Sequence, residues 1–168
     1  MPEYGLSLGS NLGRRLHNLQ AARRRLAGLP GVRLRACSPV YETEPVDVPA
    51  AYRRRRFLNA VILVDAPVAP ERMLAALRRI ERAMGRPARR PKNAPRTIDL
   101  DIIYAGRLRR RSARLKIPHP GWSKRRFVVE PLATLRPDLR IPGHPHTVRQ
   151  TLLSLPNRPK VTSVSENW

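Results

Sequence analysis

Apolar positions recur along the chain in two rhythms, and the switches between them mark out its elements. Residues 4–9 (YGLSLG) put Leu6 and Leu8 on one face of a short strand, which Gly-Ser-Asn then interrupts. From 13 to 28 the spacing becomes helical, with Leu16, Leu19, Ala22 and Leu26 in one stripe and Gly28 and Pro30 as the stop. Residues 32–43 alternate again, with Val32, Leu34 and Ala36 on one side. A basic, Pro-containing loop covers 44–56, and 57–66 (FLNAVILVDA) is apolar almost throughout, as a buried strand is. Pro70 opens a second helix over 70–84, with Met73, Leu74, Leu77, Ile80 and Met84 as its core stripe and Gly85 at its end. A basic loop rich in proline fills 85–96, and 97–104 (TIDLDIIY) is the last clear strand. Beyond it the pattern is less regular, with a short helix at 147–154 and a polar, loose tail after Pro156.

The order β-α-β-β-α-β is that of the split βαβ, a ferredoxin-like α+β core in a single domain. It predicts one antiparallel sheet with both helices on one face. The other face then needs cover, and loops over it would make a ligand cleft.

Composition narrows the class. The 168 residues carry 41% hydrophobic side chains, enough for a core, and no apolar run reaches the length of a membrane span. The N-terminus does not read as a signal peptide, and the lone Cys37 permits no internal disulfide, so a reduced cytoplasmic setting is expected. With 34 Lys+Arg against 12 Asp+Glu, the formal net charge is +22, which points to polyanionic partners without choosing among them. Runs such as 53–56 (RRRR) and 107–111 (RLRRR) are expected to be mostly solvated surface.

Against that charge, Asp99 and Asp101 stand out. Successive strand side chains point to opposite faces, so Ile98, Leu100 and Ile102 face the helices. Asp99 and Asp101 then share the other face, their Cα atoms ~6.5–7 Å apart. Two neighbouring carboxylates resist ionising together unless a cation joins them, and Mg2+ with waters and phosphate oxygens is the usual solution. A solvent-facing edge with two charges is the plainer alternative. The preceding loop favours the metal, because Arg86, Arg89, Arg90, Lys92 and Arg96 would hold the rest of a polyphosphate. No P-loop pattern is present, and 9–13 (GSNLG) reads as a strand-to-helix turn. Two other classes stay open at this stage. An RNA-binding ferredoxin-like module would use the charge, although no paired aromatics sit on a strand. A D-x-D hydrolase would use the carboxylates with water as acceptor.

Residues 92–103 (KNAPRTIDLDII) fill a pattern of basic residue, any residue, two small residues or Pro, Arg, two residues, Asp, apolar, Asp and two apolars. This closely resembles the signature of the 6-hydroxymethyl-7,8-dihydropterin pyrophosphokinases of the folate pathway. Further stretches are similar in order: GSNLG, 38–45 (SPVYETEP), 57–61 (FLNAV), 79–86 (RIERAMGR), 117–120 (IPHP) and 125–132 (RRFVVEPL). The resemblance covers about residues 4–155 and implies a ferredoxin-like fold. It implies an ATP-dependent diphosphotransferase that moves pyrophosphate from MgATP to the pterin hydroxymethyl group and releases AMP. It further implies two Mg2+ ions held by Asp99 and Asp101, with Arg86 and Arg96 steadying the phosphates. Glu81, Lys92, Ile102, Arg114, Lys116, His119 and Arg125 fall at positions for ATP contacts, Glu81 alternatively holding a basic neighbour. Phe57 and Phe127 would sandwich the pterin, Asn59 would read its edge, and Thr43, Glu44 and Val46 would complete the slot. The expected partners are ATP and the reduced pterin alone, with no specific nucleic acid, no membrane, and a monomeric chain.

The chain departs from many relatives at several places. Asn93-Ala94 stands where Trp-Gly is common, Phe57 where Tyr is common, and Gly121-Trp122 where an Arg is common. Arg78 and Lys116 replace neutral side chains and Ala88 an Arg. Trp122 is expected in the core, and the two basic loops are expected to close over bound nucleotide.

Overall fold

The computed structural model describes residues 1–45, 50–87 and 94–168. The expected residues Val46 and Lys92, with Ala88, Arg89, Arg90 and Asn93, lie outside the described residues.

Eight strands and four α-helices are described: β1 Glu3–Ser10, α1 Arg15–Ala27, β2 Arg33–Cys37, β3 Val40–Thr43, β4 Phe57–Asp65, α2 Pro70–Ala83, β5 Asp99–Ala105, β6 Arg110–Arg111, β7 Lys116–Ile117, α3 Arg126–Leu135, α4 Val148–Ser154 and β8 Val161–Ser165. The main sheet runs β5-β1-β4-β3-β8 with β2 also on β4, and every pairing in it is antiparallel. This is the ferredoxin-like order with one strand broken in two. The break falls at Ser38-Pro39. Pro39 has no N–H for a ladder, and Ser38 substitutes by accepting the Val61 N–H on its hydroxyl at 2.9 Å.

On one face, Leu6, Leu8, Ala60, Ile62, Leu100 and Ile102 meet Leu19, Ala22 and Leu26 of α1 and Met73, Leu77 and Ile80 of α2. Leu16, expected in the α1 stripe, is exposed instead. The second face is covered by more than loops. Val61, Leu63, Ile103 and Tyr104 pack against Val128, Val129 and Leu132 of α3 and Val148 of α4. The sequence pattern left α3 unassigned because Pro131 sits inside it, where proline normally breaks a helix. These helices leave part of that face uncovered, and that part is a cleft.

A bulge fixes where the cleft ends. The β1–β5 register slips between Gly5 and Leu6, passing over Ile103. Ile103 and Tyr104 therefore both join the second core, closing the row that Asp99 and Asp101 began. Gly5 makes room for this: a Cβ there would lie 2.2 Å from the Tyr104 ring. The Tyr104 hydroxyl donates to Glu3 at 2.6 Å, and Glu3 also accepts from Arg136 at 2.6 Å.

The tail expected to be loose is not. β8 pairs with β3, and Trp168 is buried, its Nε1–H donating to the Ser38 carbonyl at 2.7 Å. Among the described residues, no helix is long and apolar enough to cross a membrane.

Candidate active site

The register of the three central strands builds the floor of the cleft. Gly9 lies opposite Asn59 on one side and Asp99 on the other, and Ser7 lies between Val61 and Asp101 in the same way. Asn59, Asp99 and Asp101 thus project on one face, with a glycine between the amide and the carboxylates. That glycine keeps the floor flat, since a Cβ on Gly9 would come within 3.1 Å of Asn59 Oδ1. The resulting cavity, of about 460 Å³, is lined by these residues with Thr43, Phe57, His119, Trp122 and Phe127, among others.

Its two ends differ in chemistry. At the β3–β4 end, buried Asn59 donates from Nδ2 to Thr43 Oγ1 at 2.8 Å. This fixes the carboxamide and leaves Oδ1 and one amide hydrogen for a ligand. Phe57 and Phe127 flank this region, each under a guanidinium: Arg96 Cζ lies 5.3 Å from the Phe57 centroid and Arg125 Cζ 6.0 Å from that of Phe127. At the β5 end, a chain of alternating charges runs in from α2. Buried Glu81 accepts the Leu100 N–H at 2.9 Å and pairs with Arg86. Arg86 donates to Asp99 Oδ1 at 2.8 Å, and Arg96 holds Asp99 Oδ2 at 2.9 Å. Asn11 anchors the Arg96 loop to the end of β1, accepting the Arg96 N–H at 2.8 Å and donating to its carbonyl at 3.2 Å.

Asp101 differs from Asp99. It makes no ion pair or hydrogen bond among the described residues. Burial first, and then the charge of Asp99, push its carboxyl above the usual range, opposed by His119, Arg125 and Arg96. Burial likewise holds His119 below the usual imidazole range, against the pull of Asp101. His119 Nδ1 accepts the Gly121 N–H at 3.0 Å, so the neutral ring carries its proton on Nε2. Two buried donors, Asn11 Nδ2 and Arg96 Nε, lack acceptors among the described residues. The β5 end of the cavity therefore combines a carboxylate in want of a cation with a guanidinium in want of an anion.

A profile of the family 7,8-dihydro-6-hydroxymethylpterin-pyrophosphokinase (HPPK) matches residues 5–137. The chain belongs to this family. It is a pyrophosphokinase of folate biosynthesis. It is 43% identical over 141 residues to the 2-amino-4-hydroxy-6-hydroxymethyldihydropteridine pyrophosphokinase of Pseudomonas aeruginosa, covering 84% of this chain and 85% of that one. It is 37% identical to the Folic acid synthesis protein fol1 of Schizosaccharomyces pombe over 91% of this chain, which spans 20% of that longer protein. In fold it is similar to the crystal structure of wild-type Plasmodium falciparum HPPK-DHPS with pteroate (TM-score 0.69, 14% identity), covering 90% of this chain and 44% of that one.

Of the residues expected in a pyrophosphokinase site, the cavity brings together Thr43, Glu44, Phe57, Asn59, Arg96, Asp99, Asp101, His119, Arg125 and Phe127. Arg86 and Glu81 stand behind them, reaching the cavity through Asp99. Ile102 points away into the α1–α2 core. Arg114 and Lys116 are exposed and do not line the cavity. Trp122 is both core and lining: it packs with Val128 and Val129 and faces the cavity. Sequence reasoning missed Gly9 and Asn11, although GSNLG was in view, because only strand register shows what Gly9 separates. It also missed Lys124, Arg126 and Pro159.

Proposed function

We propose that the flat heterocycle of 6-hydroxymethyl-7,8-dihydropterin stacks between Phe57 and Phe127, with Asn59 reading its edge. The triphosphate of ATP then runs along the Asp99–Asp101 end under Arg96, His119 and Arg125, with Arg86 steadying Asp99 from behind. The observation that carries this reading is the line Asn59–Gly9–Asp99 across three strands, which sets an amide reader beside a pair of carboxylates with nothing between them. An acceptor hydroxymethyl group placed there is within reach of a phosphate at the carboxylates.

Asp99 and Asp101 suit hard divalent cations, two Mg2+ in this reading. The donor set is all oxygen and incomplete, since no cluster of three or more His, Cys, Asp or Glu occurs among the described residues. Water and phosphate oxygens supply the remainder, as they do at Mg2+ sites. Held there, Mg2+ would supply charge neutralisation at the phosphates and a lower pKa for the attacking hydroxyl. The chain's own residues do the positioning. Arg86 holds Asp99 from behind, Arg96 holds it with a guanidinium that also faces the cavity, and Asn11 keeps the Arg96 loop in place. His119, with its proton on Nε2, donates a hydrogen bond to phosphate and is not the base. The pterin hydroxyl oxygen attacks the β-phosphorus in line as its proton passes to solvent, the bond from the β-phosphorus to the oxygen bridging it to the α-phosphorus breaks and AMP leaves, with positioning and electrostatics supplying most of the rate. The same reading takes the chain as a cytoplasmic monomer with ATP and the pterin as its partners. Asp101→Ala tests it. We expect pterin-dependent AMP formation to fall at least ~100-fold and not to recover at high Mg2+. Full activity at saturating Mg2+ would overturn the metal assignment.

A further inference from the structure

The chain's last segment takes part in the cavity. β8 pairs with β3 in the register Thr43↔Val161, so the residues just before Val161 run past the end of β3 beside Glu44. There Pro159, half-buried, lines the cavity together with Phe57, Asn59 and Phe127. Tethers hold it from both directions along the chain. Before it, Arg126 donates to the carbonyls of Leu155 and Pro156, each at 3.3 Å, and is itself fixed by Glu130 at 2.8 Å. After it come the β3–β8 ladder and the buried Trp168.

The strand order decides which end of the cavity Pro159 serves. β8 and β5 are opposite edges of the path β5-β1-β4-β3-β8. At strand spacing they are about 19 Å apart, with Asp99 and Asp101 on the far side from the tail. Pro159 therefore belongs with Thr43 and Asn59 and not with the carboxylates. A prolyl ring offers an apolar face and no N–H, so it excludes water from a ligand edge without competing for the hydrogen bonds Asn59 can make.

We propose that the segment Asn157–Val161, through Pro159, is a wall of the acceptor subsite and a specificity determinant for the flat heterocycle, without a part in nucleotide binding. This inference rests on the reading that stacks the pterin between Phe57 and Phe127. Arg126 and Glu130 are its positioning residues, since they fix the segment from α3.

The test is steady-state kinetics of the full chain with MgATP and 6-hydroxymethyl-7,8-dihydropterin varied separately, for Pro159→Gly, Pro159→Ala, Phe127→Ala and Val164→Ala. Val164, exposed on β8 and away from the cavity, controls for disturbance of the strand. Pro159→Gly should raise KM for the pterin about five- to ten-fold, with Pro159→Ala intermediate, KM for ATP unchanged and Val164→Ala like wild type. Phe127→Ala should raise KM for the pterin more strongly. If Phe127→Ala raises it and both Pro159 variants do not, the wall is refuted while the stacking site stands. If neither position affects it, the stacking reading fails and the wall with it. Equal rises in KM for ATP and pterin would reduce the tail to general support and overturn the proposal.

Discussion

Replacing Glu81 separates its two jobs. Its carboxylate accepts the Leu100 N–H at 2.9 Å on the outer side of edge strand β5, and it pairs with Arg86, which in turn holds Asp99. The residue is 5% exposed, and burial pushes its carboxyl above the usual range despite the Leu100 bond and the Arg86 charge. Glu81→Ala strands the Leu100 N–H, at about 1–3 kcal/mol, and removes packed methylenes, at about 1 kcal/mol. Arg86 keeps Asp99 as a partner and is partly solvated, so that loss adds only about 0.5–1 kcal/mol. The sum is about 2.5–5 kcal/mol, or roughly 5–20 °C in Tm for a chain of this size. Glu81→Gln keeps an acceptor for Leu100 and no longer buries a charge, so it should cost at most about 1 kcal/mol, roughly 2–4 °C. Both variants take away the anion that orients Arg86 from behind Asp99, so both should lower kcat, by about ten-fold or more, even where Gln leaves the fold intact. Urea unfolding at neutral pH together with single-turnover kinetics reads both quantities. Equal destabilisation by Ala and Gln would refute the role assigned to the Leu100 bond. Unchanged kcat in both would refute the link from Arg86 to Asp99.

Two further perturbations test the surrounding geometry. A Cβ on Gly121 would lie 3.2 Å from Arg125 Nε and 3.3 Å from His119 Cε1, so Gly121→Ala should spread the two side chains apart. We expect kcat/KM for ATP to fall about three- to ten-fold with Tm nearly unchanged, and wild-type kinetics would show that the pair does not act on the nucleotide. For Glu3, burial raises the carboxyl pKa, but hydrogen bonds from Arg136 and Tyr104 and the Arg136 charge outweigh it, so the net shift is downward. A lowered folded value means stability that is present above the unfolded value, about 4.3, and lost as pH falls through the folded one. Glu3→Gln should therefore destabilise by roughly 1 kcal/mol at pH 7, with the difference from wild type shrinking as pH falls below about 4.3 in a urea series. A difference independent of pH would contradict the pairing.

The parts of the site legible in the sequence are those written in one strand's alternation. Ile98, Leu100 and Ile102 against Asp99 and Asp101 needed only the period of a strand, and the structure keeps that division. Features made by neighbours were not legible. Gly9 reads as turn chemistry until its register sets it between Asn59 and Asp99. α3 was hidden by Pro131, although Val128, Val129 and Leu132 have helical spacing. β8 is polar and short, and only its pairing with β3 and the buried Trp168 give it a place. The alternation of Val32, Leu34 and Ala36 also misled in part, because a register shift sends Ala36 to the second core.

The most direct measurement of the central claim is the identity of the nucleotide product. The protein is mixed with Mg2+ and ATP, with and without 6-hydroxymethyl-7,8-dihydropterin, and AMP and ADP are resolved. The account predicts AMP formed only when the pterin is present, in step with the pterin diphosphate, and lost in Asp101→Ala. ADP as the product, or ATP turnover indifferent to the pterin, would contradict it.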